Sequence, residues 1–397
     1  MNITAFAIGI AAMCALSFTP VHAQEDVPDY TLPDPLVFED GEPVEDAEAW
    51  FDQRRPEILE LFREHVYGRR PGPPDSVEFE IVEEDPEAMD GDATLKQVDI
   101  RSIQGEDEHT FELILFTPND APEAVPVFLL MNNRGPENTD PTREEQSGFW
   151  PAEEVIERGY AAAAFQVGDV APDSADDFRE GVMSLFGDPE ANREPDGWGA
   201  LAAWGWGASR VMDYFETEDA VDASQAALLG HSRGGKASLW GGAEDDRFAI
   251  AISNNSGCGG AAISRRRFGE RVSQINGNFP HWFCLNFREY NGQEHALPVD
   301  QHQLVALMAP RPVYVASASE DDWADPKGEF LAAYHAGPVY ELLGEEPLPV
   351  DEQPAPGEAA HGTVGYHLRE GGHNLTPEDW QHYMDFADKH FERETSP

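Results

Sequence analysis

The sequence predicts one α/β domain whose central sheet is mostly parallel, with helices on both faces and loop insertions around the functional site. Apolar runs without a polar break, at residues 125–131, 160–166 and 226–229, are typical of strands that are covered on both faces. A strongly helical pattern at residues 198–215 lies between two of these runs. Strands that alternate with helices favour a parallel sheet with right-handed crossovers.

The N-terminal 23 residues are predicted to be a secretory signal peptide. An apolar run from Ala5 to Phe18 is followed by V-H-A, which ends at Ala23, and cleavage is expected there. The alternative is a buried N-terminal helix. No later stretch has the roughly 18 apolar residues that a membrane helix needs. We therefore expect a secreted or periplasmic protein, not bound to a membrane, whose residues 24–397 form a single catalytic domain.

The first part of this domain is predicted to be an arm, a helix and an antiparallel opening to the sheet. Residues 24–46 are acidic and Pro-rich, which indicates an extended arm, and residues 50–67 have the period of an amphipathic helix. Residues 77–82, 97–103 and 111–116 alternate between apolar and polar side chains, as half-buried antiparallel strands do.

The stretch 226–240 reads as a buried strand, a tight turn and the start of a helix. Gly230, Ser232 and Gly234 form a G-x-S-x-G frame, which is the nucleophile elbow of α/β-hydrolases. Such an elbow lifts the serine hydroxyl to a helix N-terminus, whose N–H groups can receive an oxyanion. Because a serine can also simply cap a helix, the frame alone does not decide the assignment. Residues 132–135 follow a central strand, at a place where hydrolases often keep a second oxyanion donor.

The rest of the chain continues the alternation and adds two insertions beside the site. Long loop segments are predicted at residues 168–196, which are polar, and 265–291, which are dense in aromatic side chains. Further strands and helices are predicted at residues 248–253, 312–317 and 364–368 (strands) and 329–343 and 380–391 (helices).

A serine nucleophile needs a base, and α/β-hydrolases supply serine, acid and histidine in that chain order. His373 lies in a Gly-flanked loop after the last predicted strand, where the base belongs. His361, in a loop before that strand, is an alternative, whereas His367 lies inside the strand and reads as structural.

The acid that orients the imidazole should follow an earlier strand. Glu320, Asp321 and Asp322 all follow the predicted strand 312–317, and we favour Asp321. The other two carboxylates are then solvated loop charges.

Composition limits the partners. The chain has 76 acidic and 26 basic residues and a formal net charge of −50. Such a surface repels nucleic acid and anionic membranes and indicates a salt-adapted protein.

Cys258 and Cys284 are expected either to form a disulfide or to be two buried thiols. No cluster of side chains has metal-ligand spacing, and we expect a monomer.

Several linked motifs resemble one family. G-H-S-R-G-G-K resembles the G-C-S-R-x-G-K elbow of the glucuronoyl esterases, carbohydrate esterase family fifteen. The motifs similar to the bacterial branch of that family are S-N-N-S-G-C-G-G, F-G-E, F-P-H-W-F, L-P-V-D-Q-H, A-P-R-P-V-Y-V and E-D-x-W-A-D-P. The resemblance spans about residues 50–391, which is nearly all of the predicted mature chain.

The resemblance implies hydrolysis of a uronic-acid ester without metal or cofactor. It implies that Ser232 is the nucleophile and that Arg233 stabilises the oxyanion through its backbone N–H and its guanidinium. It further implies that Lys236 and Glu270 contact sugar hydroxyls and that Trp323 forms an apolar wall for the sugar ring. Glu270 has an alternative, which is to pair with one of the arginines at positions 265–267.

The chain departs from the family at one position. Many members carry a Glu directly before the S-G-x-G-G loop as the acid of the triad, and this chain has Asn255 there. An amide cannot balance the charge of an imidazolium. Other bacterial members place an acid after the later strand, and Asp321 fits that arrangement.

The expected function is hydrolysis of glucuronoyl and 4-O-methyl-glucuronoyl esters that link xylan to lignin alcohols, through an acyl-enzyme. One alternative is an esterase for acetylxylan or another carbohydrate ester. The other is a catalytically silent carbohydrate-binding protein, which only the missing Glu at position 255 supports.

Overall fold

The computed structural model describes residues 27–391 of the 397-residue chain. The predicted signal peptide, residues 1–23, lies outside the described residues, and it stays a prediction. Within the described range, no helix is both long enough and apolar enough to cross a membrane.

One ten-stranded sheet forms the centre of the molecule. Its strands are β1 (Ser76–Ala88), β2 (Ala93–Gln104), β3 (Asp107–Pro118), β4 (Val125–Asn132), β5 (Ala161–Gln166), β6 (Val221–His231), β7 (Ile250–Asn254), β8 (Val313–Ala318), β9 (Glu358–His361) and β10 (Val364–Arg369). Their order across the sheet is β1-β2-β3-β5-β4-β6-β7-β8-β10-β9. Strands β5, β4, β6, β7, β8 and β10 pair in parallel. The pairs β1–β2, β2–β3, β3–β5 and β10–β9 are antiparallel. The predicted mostly parallel sheet with an antiparallel opening is thus confirmed.

Helices cover both faces of this sheet. They are α1 (Ala47–Ala49), α2 (Arg55–Phe62), α3 (Ala152–Glu157), α4 (Val167–Val170), α5 (Ala200–Phe215), α6 (Arg233–Glu244), α7 (Val272–Asn278), α8 (Gln301–Ala306), α9 (Pro326–His335), α10 (Gly337–Leu342) and α11 (Pro377–His390). The helix predicted at residues 50–67 is a continuous helical segment, in which the π-helical turns Trp50–Arg54 and Arg63–Tyr67 flank α2.

Two apolar cores result from the alternation of side chains along the buried strands. In β4, Leu129 packs in the core that also holds Trp204 of α5 and Trp240 of α6. Its neighbour Leu130 points to the other face and packs in the core that holds Trp380 of α11. The continuous apolar runs in the sequence are therefore strands that are buried on both faces.

The structure differs from the sequence predictions in the C-terminal third. The single helix predicted at residues 329–343 is two helices, α9 and α10, because Pro338 lacks the N–H that a continuous helix would need. His361 lies at the end of strand β9 and not in a loop. Strand β9 was missed because it is a four-residue edge strand that pairs only with β10. The short helix α8 was also missed.

The two cysteines of the described chain are free thiols. Cys258 and Cys284 are both buried and form no disulfide. Burial raises the pKa of each thiol above its ordinary value. Of the two states that the sequence allowed, the structure has the buried thiols, which pack in the larger apolar core.

Candidate active site

Ser232 lies at a sharp turn between β6 and α6. Its φ of 56° and ψ of −121° are a backbone conformation that non-glycine residues rarely adopt. The Ser232 N–H donates to the carbonyl of Asn254 at 2.8 Å, which holds the turn against β7. Ser232 precedes the first residue of α6, but its side chain makes no capping hydrogen bond. The hydroxyl is therefore presented by the turn and is not used to cap the helix.

Gly230 explains why the turn can be this tight. A Cβ atom at position 230 would lie 2.0 Å from the carbonyl oxygen of Gly234. No side chain fits at that distance, so the strand and the helix approach each other only because residue 230 is glycine. Gly230 of the G-x-S-x-G frame thus has the structural role that the motif predicts.

His373 and Asp321 meet beside this turn. The Nδ1 atom of His373 lies 2.6 Å from Oδ2 of Asp321, and the same oxygen accepts a hydrogen bond from the side-chain amide of Asn255 at 3.1 Å. The Asp321 side chain is 5% exposed and that of His373 is 41% exposed. Burial alone would raise the pKa of Asp321, but the hydrogen bonds from His373 and Asn255 and the charge of His373 lower it.

The other candidates for the acid face solvent, and the other candidates for the base lie elsewhere in the structure. Glu320 and Asp322 are exposed, in contrast to Asp321 between them. Nε2 of His367 lies 2.9 Å from Oδ1 of Asp379. Nδ1 of His367 and Nε2 of His361 lie 3.1 and 3.0 Å from the hydroxyl of Tyr314. Both of these histidines therefore belong to a structural cluster on the α11 side of the sheet.

The Arg233 side chain is held by the two insertions. Its guanidinium pairs with Asp173 of the first insertion. It also lies over the ring of Trp282 in the second insertion, with 4.9 Å between Cζ and the ring centroid. Asp173 accepts further hydrogen bonds from Nε1 of Trp282 at 2.7 Å and from Nε2 of His281 at 2.8 Å. The guanidinium is thus fixed in direction before any substrate binds.

These contacts lower the pKa of Asp173. Burial by itself would raise the pKa of Asp173, but the hydrogen bonds from His281 and Trp282 and the charge of Arg233 lower it to about 2. The carboxylate is therefore ionised under all ordinary conditions and remains a partner for the Arg233 cation.

Lys236 and Glu270 form a pair of opposite charges next to the elbow. Lys236 is buried and donates to the carbonyl of Ser256, and its Nζ lies 5.9 Å from the ring centroid of Trp282. Burial lowers the pKa of Lys236, and the charge of Glu270 opposes that shift. Burial raises the pKa of Glu270, against the charges of Lys236, Arg233 and His373. The charges of Lys236 and Glu270 thus act on each other's pKa in opposite directions to burial.

Trp323 lies beside Glu270, at the solvent-exposed edge of the candidate site. Trp323 is 52% exposed, and its side chain opposes the rise that burial causes in the pKa of Glu270. The Glu270 N–H donates to the Trp323 carbonyl at 2.9 Å. The arginines that could have paired with Glu270 have other partners, since the observed pairs are Arg265–Asp300, Arg266–Asp325 and Arg267–Glu294.

The structure therefore brings together every site residue that the sequence predicted. In one region, it assembles a strained serine, a histidine with a carboxylate partner, two cations, a carboxylate and an exposed indole. Such a set can activate a hydroxyl and stabilise negative charge on a carbonyl oxygen. No group of three or more potential metal ligands was found within residues 27–391.

Comparisons with known proteins agree with this arrangement. A family model described as fungal glucuronyl esterase matches residues 105–344. A carbohydrate esterase from an unknown prokaryotic organism is 44% identical over an alignment of 399 positions, which covers 92% of this chain and 91% of that protein. The chain belongs to the glucuronoyl esterase family, carbohydrate esterase family fifteen. It is accordingly a carboxylic ester hydrolase.

Solved and curated relatives extend the match. The solved glucuronoyl esterase from Solibacter usitatus superposes with a TM-score of 0.87 at 41% identity, over 91% of this chain and 98% of that chain. The 4-O-methyl-glucuronoyl methylesterase 1 of Wolfiporia cocos is 29% identical over 80% of this chain and 74% of its own length. The predicted α/β-hydrolase fold is confirmed by the sheet order and by this solved relative.

Sequence reasoning missed three contributors to this glucuronoyl esterase site. Asp173 was one of several acids in an insertion, and its partner Arg233 lies 60 positions away. Asn255 was noted as a missing acid but not as a donor to Asp321. His231 fills the unspecified position of the elbow motif, which carries no rule for its residue type. A polar residue at a position that should be buried was the one signal available for His231.

Proposed function

We propose that the chain hydrolyses esters of glucuronate and 4-O-methyl-glucuronate, of the kind that link xylan to lignin alcohols, through an acyl-enzyme on Ser232. The observation that carries the proposal is the 2.6 Å contact between His373 and Asp321 beside a serine at a strained elbow. That contact supplies an oriented base, which a catalytically silent binding protein would not need. Membership of the glucuronoyl esterase family, with a curated relative named 4-O-methyl-glucuronoyl methylesterase, supports the class of ester.

In the first half of the reaction, Ser232 Oγ attacks the ester carbonyl while Nε2 of His373 takes its proton. Asp321, bonded at Nδ1, balances the charge of the imidazolium that forms. The backbone N–H of Arg233, at the start of α6, faces the oxyanion, and one such donor typically contributes about 10²–10³ in rate. His373 then gives its proton to the departing alcohol.

In the second half, water attacks the glucuronoyl-enzyme and His373 again takes and returns one proton. The products are the free uronate and the restored Ser232 hydroxyl. Each half thus moves one proton through His373, and the sum is one ester and one water converted to an acid and an alcohol. The Arg233 guanidinium lies beside the carboxylate that is produced.

Recognition of the sugar is assigned to the remaining candidate residues. Lys236 has three N–H donors, of which one is committed to the carbonyl of Ser256, so others are available to ring hydroxyls. Glu270 supplies an acceptor, and the exposed face of Trp323 supplies an apolar surface for the ring. Neither a metal nor a cofactor enters this scheme.

The test is a comparison of substrates. We expect the purified mature protein to hydrolyse benzyl glucuronate with a much higher kcat/KM than p-nitrophenyl acetate and acetylated xylan. Equal or greater turnover of the acetyl esters would favour the alternative of a broader carbohydrate esterase. Lys236→Met should raise KM for benzyl glucuronate and leave KM for p-nitrophenyl acetate nearly unchanged, since the acetyl ester has no sugar hydroxyls.

Export and a monomeric state complete the proposal. The apolar N-terminal segment that ends at Ala23 supports secretion or delivery to the periplasm, where a polymeric substrate is accessible. The net charge of −50 supports a monomer, because copies of the chain repel one another.

A further inference from the structure

The residue before the nucleophile, His231, is buried in direct contact with the base. The rings of His231 and His373 lie 4.6 Å apart between centroids, at an interplanar angle of 50°. His231 is 1% exposed, whereas the His373 side chain is 41% exposed and sits in a loop with Gly371 and Gly372. One face of a partly exposed ring on a glycine-containing loop thus rests on a ring that is fixed in the protein.

Two hydrogen bonds fix the His231 ring. Nε2 lies 3.3 Å from Nη2 of Arg134, and Nδ1 lies 2.5 Å from Oδ1 of Asn254. Because a guanidinium can only donate, Nε2 must be the unprotonated nitrogen, and Nδ1 then donates to Asn254. The Asn254 amide in turn donates to the hydroxyl of Tyr383 at 2.8 Å, which makes Oδ1 the acceptor. Only the neutral His231 tautomer that carries its proton on Nδ1 satisfies the hydrogen bonds that link Arg134, His231, Asn254 and Tyr383.

The same surroundings keep His231 from turning or ionising. The edge-to-face ring of Phe149 lies 5.7 Å away, and the Arg134 guanidinium covers that ring at 4.5 Å. Burial lowers the pKa of His231 to about 3, and the charges of His373 and Arg134 act in the same direction. Asn254 and the more distant Asp379 act in the opposite direction. At working pH the His231 ring that contacts His373 is neutral, so it does not repel the imidazolium form of His373.

We propose that His231 is a positioning residue that holds the imidazole of His373 in the orientation in which Nδ1 meets Asp321 and Nε2 faces Ser232. This inference rests on the proposed function, since it acts through the proposed base. It predicts that kcat depends mainly on the ring of His231, and that the hydrogen bonds of this ring contribute mainly to the stability of the fold. Small misplacements of a catalytic group cost up to about 10² in rate.

Two variants separate the ring from its hydrogen bonds. His231→Gln keeps a donor and an acceptor for Asn254 and Arg134 but removes the ring, so it should fold and lower kcat by about tenfold to hundredfold. His231→Phe keeps the ring and should retain kcat within a few-fold of wild type. In both variants KM should change little, because the hydrogen-bond partners and ring neighbours of His231 are Arg134, Asn254, Phe149 and His373, none of which is a proposed sugar-binding residue.

The matched control is His302→Gln. His302 is also buried, and its Nε2 lies 2.8 Å from the carbonyl of Pro33, but its ring neighbour is His335 and not His373. The same substitution there should lower the melting temperature without lowering kcat. If His231→Gln leaves kcat at the wild-type value, or if His231→Phe loses as much kcat as His231→Gln, the inference is overturned.

The substrates keep this test distinct from that of the proposed function. All variants are measured with benzyl glucuronate and with p-nitrophenyl acetate, whose hydrolysis needs the base but no sugar recognition. If wild type cleaves only the acetate, the proposed uronate specificity fails while the ratios of kcat among the His231 variants still test the positioning role. If wild type cleaves both substrates and the His231 variants have the same kcat as wild type, only the positioning role fails.

Discussion

The side-chain amide of Asn255 donates a hydrogen bond to Oδ2 of Asp321 at 3.1 Å, and that oxygen is the one that contacts His373 at 2.6 Å. Asn255 occupies the position at which many glucuronoyl esterases carry their acid. The amide therefore stands next to the carboxylate that the later strand supplies, and its hydrogen bond lowers the pKa of Asp321. The two possible sites of the acid therefore lie beside each other, next to the oxygen that contacts His373.

Replacing the acid should damage catalysis far more than replacing its neighbours. Asp321→Asn should lower kcat by up to about 10⁴, because an amide at this place stabilises the wrong imidazole tautomer and no imidazolium. Glu320→Gln and Asp322→Asn, at exposed loop positions, are the matched controls and should stay close to wild type. Steady-state kinetics with benzyl glucuronate measure all three. A wild-type kcat in Asp321→Asn would remove Asp321 from the triad.

The second site of the acid can be tested by moving the carboxylate. Asn255→Glu in the Asp321→Asn background should recover part of the lost kcat, since residue 255 already reaches the oxygen that contacts His373. In the wild-type background the same change places two carboxylates side by side, which should lower stability through like-charge repulsion. No recovery in the double variant, with the fold intact, would show that a carboxylate at position 255 cannot reach the imidazole in this chain.

The contact between Asp173 and Arg233 predicts a role for the first insertion in the chemical step. Asp173→Asn should lower kcat by about tenfold, because the Arg233 guanidinium loses the charge that fixes its direction beside the oxyanion. The effect is smaller than removal of a whole oxyanion donor, which costs about 10²–10³. Asp176→Asn, an exposed acid in the same loop, is the control. Equal kcat in both variants would exclude this role for Asp173.

Glu329 predicts a pH dependence of stability with a definite sign. Burial raises the pKa of this carboxyl to about 8, although the Gly257 N–H and the Ser317 hydroxyl donate to it at 2.9 and 2.7 Å. Because the folded pKa lies above the unfolded value, the stabilisation is complete below about pH 4.5 and is lost as the pH rises through about 8. The free energy of unfolding of wild type should therefore fall between pH 5 and 9 relative to that of Glu329→Gln, measured by urea denaturation. A constant difference between the two proteins would contradict this sign.

The surplus of acidic residues predicts a response to salt. With 76 acidic and 26 basic residues, like charges repel one another across the folded surface. At roughly 1 M NaCl the Debye length is about 3 Å, so most of this repulsion is screened. The melting temperature should rise from dilute buffer to molar NaCl. A flat or falling curve would contradict the interpretation that the chain is salt-adapted.

The sequence was sufficient for the parts of the site that follow local rules. The strand, the two glycines and the serine of the elbow are contiguous, so Ser232 could be placed from the motif. His373 and Asp321 could be placed because each follows a buried strand, and the ends of parallel strands meet at one edge of the sheet. The strands themselves were visible because complete burial leaves continuous apolar runs.

The remaining parts depend on contacts between distant segments, which no local pattern reports. Asp173 was indistinguishable from the other acids of its loop until the fold brought Arg233 and Trp282 to it. His231 sits at a position that the motif leaves free, and its hydrogen-bond partners come from the loop after β4 and from β7. The split between α9 and α10 was missed because the apolar pattern continues across Pro338, although the hydrogen bonding does not.

Hydrolysis of benzyl glucuronate by Ser232→Ala, measured beside wild type, is the most direct test of the proposed acyl-enzyme. Ser224→Ala, an exposed serine near the start of the same strand, is the control. We expect Ser232→Ala to lose about 10⁴-fold or more in kcat, because the members of a triad act as a unit. Its melting temperature should be unchanged, and the control should keep full activity. Retention of even a tenth of the wild-type kcat in Ser232→Ala would contradict the proposed acyl-enzyme.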